Sequence, residues 1–248
     1  MGPLIVAEIL LQVACAYHCY RTGNSQPWLY IILVFPVMGS VVYLVAVALP
    51  RFRHTREGHQ LATGVRRLVD PDGILRERLQ QAELVDSADA KRGLADELMQ
   101  RGDYPAAARL LENATSGIYA DDPGLLYALA RARFGAFDFL GTLKALDALR
   151  AANPDWQSGD AHLLYARALE GDGQEQAALS EYEAVAKYFA GEEAKCRLAM
   201  YLQKLGREDE ARTVFQAVAK SGERAGRIQG QMQGEWYALA KRNLTSPQ

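Results

Sequence analysis

Two long apolar runs open the chain, and paired amphipathic stretches fill the remainder. Residues 28–49 hold 22 positions without one charged side chain. At about 1.5 Å of rise per residue, such a helix crosses a hydrocarbon core of about 30 Å. Residues 3–20 are nearly as apolar but include Glu8, Gln12 and His18, so a second span is expected, with an interfacial or tightly paired helix as the alternative. The link 21–27 is short and rich in turn residues, which predicts an antiparallel hairpin over residues 1–50 with spans of about 3–20 and 28–49. Tyr17, Tyr20, Trp28 and Tyr30 gather at the hairpin's loop end, where aromatic rings favour the headgroup zone.

Residues 51–86 read as a basic connector. Between residues 51 and 67 it carries Arg51, Arg53, Arg56, Arg66 and Arg67 against the single acid Glu57, and a turn follows at Asp70 to Gly73. Ile74, Leu75, Leu79, Ala82 and Val85 follow at helical spacing. The hairpin loop has one arginine and residues 51–67 five. The excess of basic residues predicts that everything after residue 49 is cytoplasmic, with the chain integral to the inner membrane. Basic side chains near the bilayer also attract anionic lipid. No positive n-region precedes the first apolar run, so a cleaved leader is not expected.

Beyond the connector the chain repeats itself. Leu94 and Ala95, Leu129 and Ala130, Tyr165 and Ala166, and Leu198 and Ala199 fall in register at steps of 35, 36 and 33 residues, with Ala107, Thr142, Ala178 and Ala211 twelve positions on. That period predicts a solenoid of helix pairs, each burying its apolar face only against its neighbours. Fillers recur four and seven positions later: Leu111 and Ala114, Leu146 and Leu149, Tyr182 and Val185, Phe215 and Val218. Gly102, Gly173 and Gly206 mark the turn inside three pairs, whereas the second has Phe137 there. Pro154 closes the second repeat, and Pro123 reads as a late close of the first. Ile228, Met232, Trp236, Leu239, Ala240 and Leu244 form one apolar stripe, read as a single capping helix with Trp236 as its docking residue.

The repeat pattern resembles the tetratricopeptide repeat (TPR), in four copies over 87–224, followed by a cap and tail at 225–248. The family's tryptophan is replaced by Lys91, Leu126, His162 and Lys195. The hairpin, with Trp28, Pro36, Gly39 and Tyr43 as packing residues, resembles the N-terminal membrane domain of cardiolipin synthases and related phospholipase D proteins. That likeness implies an anchor but no activity, because no histidine has a lysine two residues later. The expected fold is therefore all-α: a transmembrane helical hairpin, a solenoid of four TPR-like helix pairs and a C-terminal capping helix.

If the TPR register holds, the first helix of each pair lines a concave face. Its inner positions include Arg92 and Asp96; Tyr127, Arg131 and Phe134; Leu163, Arg167 and Glu170; Cys196, Arg197, Met200 and Lys204. The expected partner-binding groove comprises Arg92, Tyr127, Arg131, Phe134, Arg167, Arg197, Met200 and Lys204. Stacked guanidinium groups beside aromatic rings suit an acidic peptide or a terminal carboxylate. The competing reading pairs the arginines with Asp96, Asp160, Glu170 or Glu193. The carboxylate-clamp asparagines of the TPR family are absent here.

A net charge of −2 argues against nucleic acid as a partner. Three cysteines supply neither a disulfide framework nor a zinc pattern, and Cys15, His18 and Cys19 lack a fourth ligand. No nucleophile, phosphate loop or paired acids in a catalytic frame emerges, so no enzyme, cofactor or metal is expected. The sequence predicts a membrane-anchored cytoplasmic TPR scaffold binding protein or peptide partners, with lipid as its second contact. The alternative is a non-catalytic regulator or assembly factor of a membrane lipid- or envelope-synthesis enzyme, acting through the hairpin.

Overall fold

The computed structural model describes residues 12, 13, 17, 70 and 72–245. The second predicted span, with Trp28, Pro36, Gly39 and Tyr43, the first span apart from residues 12, 13 and 17, and the arginines of 51–67 lie outside the described residues. Among those described, no helix is long and apolar enough to cross a membrane. The chain divides into two compact units, residues 1–74 and 75–248. In the first, residues 12, 13 and 17 are helical, and near its end the Gly73 amide donates to the Asp70 carbonyl at 3.2 Å.

Helix α1 (Gly73–Leu84) precedes four helix pairs: α2 (Ala88–Gln100) with α3 (Tyr104–Ala114), α4 (Pro123–Gly135) with α5 (Phe139–Ala152), α6 (Gly159–Gly171) with α7 (Glu175–Val185), and α8 (Glu193–Lys204) with α9 (Glu208–Arg224). Each first helix packs on its partner, and each second helix on the first helix of the next pair. Short polar side chains start most of them. Ser87, Asp103, Asp122, Asp138 and Ser158 each accept a backbone N–H three residues on, satisfying donors that the helix leaves free. Pro123 sits in the first turn of α4, behind its Asp122 cap. It opens the second pair rather than closing the first, because its missing N–H and fixed φ suit a helix start.

The repeated small residues are where the helices meet. Ala95, Ala130, Ala166, Ala199, Ala107, Thr142, Ala178 and Ala211 are all 0% exposed. The one polar member, Thr142, donates its hydroxyl to the Asp138 carbonyl at 2.7 Å, so its burial leaves nothing unpaired. Between the small residues, Leu111, Leu146, Leu149, Tyr182, Val185, Phe215 and Val218 fill the seams as buried side chains. Two apolar clusters result, one centred on α2–α5 and one on α6–α9, and Phe134 and Tyr165 pack against both.

The turns within the pairs need a left-handed backbone, and Gly102, Phe137, Gly173 and Gly206 have φ of 81°, 61°, 80° and 74°. Three of the four are glycine, which enters that region without steric cost. Phe137 is, among the described residues, the non-glycine with positive φ.

The C-terminal stripe is not one helix. It breaks at Gln233 into α10 (Arg227–Met232) and α11 (Gly234–Thr245). The Gln233 side chain accepts from the Glu192 amide at 3.1 Å, and Gly230 and Gly234 weaken helix continuity on either side. Ile228 and Met232 are left 74% and 73% exposed, while Tyr237 and Ala240 of α11 are buried on α8 and α9. The Tyr237 ring lies so close to Gly222 of α9 that a Cβ there would meet it at 2.7 Å.

Candidate partner-binding groove

The first helices α2, α4, α6 and α8 carry the candidate residues, and one register position explains their electrostatics. Directly after each repeated alanine stand Asp96, Arg131, Arg167 and Met200. Arg131 reaches back one repeat and binds Asp96, Nη1 to Oδ1, at 3.1 Å. Arg167 has no such acid behind it, because its counterpart there is Arg131, and ahead of it stands Met200. Its guanidinium instead lies over the Phe134 ring at 4.5 Å, and it makes no hydrogen bond or ion pair with any described residue. Burial, then the neighbouring Arg197 charge, push Arg167 below the ordinary guanidinium value, against the opposing fields of Tyr182, Glu193 and Glu170. A partly desolvated cation facing a second cation is poised to take an anion.

The other basic residues are engaged. Arg197 donates to Glu193 at 2.7 Å and lies over the Trp236 ring at 5.5 Å. Lys204 reaches back to Glu170 at 3.2 Å, and the same carboxylate accepts the buried Tyr182 hydroxyl at 2.7 Å. Arg92 pairs with Asp89 at 2.7 Å within its own helix. The exposed pairs are worth about 0.2–1 kcal/mol each and open readily to a competing anion. Arg131 thus pairs with the neighbouring helix and Arg197 within its own, while Arg167 makes no ion pair with a described residue.

Tyr127 stands beside these charges. Its ring meets Trp156 at 5.8 Å, and its hydroxyl hydrogen-bonds to no described residue. Burial, then the Asp160 carboxylate, raise the Tyr127 pKa against the opposing fields of Arg131 and Arg167, so the phenol is a donor at neutral pH. Met200 is 45% exposed on α8. Leu163 and Cys196, expected on the inner face at the register of Tyr127, are instead buried. Leu163 has no polar tip, and the Cys196 thiol donates to the Trp236 carbonyl at 3.6 Å within the seam. The Cys196 thiol is pushed up to about 12 by burial and by Glu192.

Sequence reasoning missed Phe137 as a lining residue. It borders a concavity of about 700 Å³ with Tyr104, Arg131, Phe134, Leu164 and Arg167. The signal was present: an aromatic stands where three repeats have glycine. His162, elsewhere on α6, bonds the Glu181 carboxylate and the Tyr188 hydroxyl. Among the described residues no group of three or more His, Cys, Asp or Glu side chains is placed to hold a metal ion; Cys15, His18 and Cys19 lie outside them.

No family model and no curated protein matches the chain. Solved structures do. A methionine-for-glutamine variant of a Podosopora anserina protein described as a candidate kinesin light chain, with nearly identical TPR-like repeats, superposes with a TM-score of 0.54 at 21% identity, over 67% of this chain and 95% of that one. A second structure of that protein gives 0.50 at 20% identity, over 64% and 90%. The likeness is one of fold: a solenoid of TPR-like helix pairs.

Proposed function

We propose that this protein is a membrane-anchored scaffold whose TPR-like groove captures a protein partner at the cytoplasmic face of the membrane. The observation that supports the reading is Arg167 of α6, half-buried and without an ion pair among the described residues, with Tyr127 nearby, whose hydroxyl bonds to no described residue. A half-buried cation that no carboxylate bonds gains by pairing with an anion. The uncharged stretch 28–49 and the arginines that follow it support the anchor and its orientation.

A photo-reactive amino acid placed in the groove tests this in cells. At Tyr127 or Met200 it is expected to cross-link one common protein, whereas at Glu183, exposed on α7, it is expected to give none. Cross-links from Glu183 with a silent groove would overturn the reading. A reporter fused to the C-terminus is expected to signal from the cytoplasm, and a signal from the outer side would overturn the orientation.

A further inference from the structure

Two independent irregularities meet in one concavity. Arg167 is the register position that found no acid, and Phe137 is the turn position that is not glycine. Phe137 holds φ 61° and is 80% exposed, so it combines a strained backbone with a large apolar side chain in water. Neither serves the fold: glycine makes the same turn in three other pairs, and the ring's contact with the protein is an edge-on approach to Phe139 at 6.2 Å. Strained residues of this kind persist where the side chain has a task. Exposed aromatic residues beside a desolvated arginine are the residue types that dominate binding energy at interfaces.

We infer that this concavity is a bipartite anchor, taking from the partner a large apolar side chain next to an acidic one. Phe137, Phe134, Tyr104 and Leu164 receive the apolar side chain; Arg167 receives the carboxylate. The space of about 700 Å³ exceeds what one aromatic side chain fills, and leaves room for the backbone that carries it. The pairing separates this ligand from a plain acidic run, which would have no use for Phe137, and from an apolar helix, which would give Arg167 no ion pair. The inference rests on the groove reading above and narrows it to one motif.

Immobilised degenerate octapeptides, probed with the detergent-solubilised full-length chain, test it. The wild type is expected to enrich Asp or Glu beside Phe, Leu or Met by about tenfold. Arg167→Gln should lose the acidic preference and keep the apolar one. Phe137→Gly should do the reverse, and Phe137→Tyr should restore it. Capture with another preference, or preferences unchanged in both variants, overturns the anchor while leaving the groove reading in place. No peptide capture, with cross-links still arising from Tyr127 and Met200, has the same consequence. Absence of both peptide capture and groove cross-links overturns the two together.

Discussion

The Arg167 guanidinium lies 4.5 Å above the ring of Phe134, one repeat behind it, at the register where Arg131 closes on Asp96 at 3.1 Å. The same residue type at the same place in consecutive repeats thus meets two fates, decided by what stands one repeat earlier. A face-on cation–π contact is worth about 0.5–2 kcal/mol. It orients Arg167 without neutralising it, leaving the charge available to a ligand.

Phe137 offers a test that separates binding from folding. Left-handed backbone costs a residue with a Cβ about 1–2 kcal/mol, and glycine nothing. Phe137→Gly is therefore expected to unfold thermally no earlier than the wild type while capturing less partner. A fall in the melting temperature would assign Phe137 a structural task instead.

The seams make the opposite demand. Leu146→Ala, at a 2% exposed position, is expected to cost about 2–5 kcal/mol in a chemical denaturation experiment. Ala166→Leu, inserted where nothing is exposed, should cost about 1–3 kcal/mol by overpacking. A neutral Ala166→Leu would show that α6 and its neighbours are not as close as the fold requires.

Alkaline pH should loosen the C-terminal pairs. Burial and then Glu192 push the Cys196 thiol from 9.0 up to about 12. Tyr182 is raised well above 10.0 by burial and by the hydrogen bond it donates to Glu170. Both native groups hold protons that the unfolded chain releases, so the Cys196 contribution is complete below about pH 9 and lost as pH rises toward about 12, and the Tyr182 contribution starts to fall above about pH 10. Urea midpoints followed by circular dichroism between pH 7 and 11 should be flat and then fall, less steeply in Cys196→Ala. A midpoint rising above pH 9 would contradict the assignment.

The repeats were legible because a period imposes itself on many residues at once: the eight buried small positions and the left-handed turns all follow from one alignment. What depends on a single neighbour was not. Leu163 and Cys196 share the register of Tyr127, yet one is wholly apolar and the other finds the Trp236 carbonyl for its thiol inside the seam, so both are buried. The pairing of Arg131 and the isolation of Arg167 follow from the identities at 96, 131 and 200 together. The cap divides at Gln233 because that side chain is held by the backbone of Glu192, forty-one residues away, a relation that periodicity does not encode.

The central claim is that the groove captures a partner through its inner arginines. The direct measurement is cross-linking from Met200 in cells carrying Arg131→Glu and Arg167→Glu together, with helical circular dichroism and melting of the purified variant as the folding control. Loss of the cross-linked partner from a folded variant is the predicted result. Full capture by that folded variant would contradict the account.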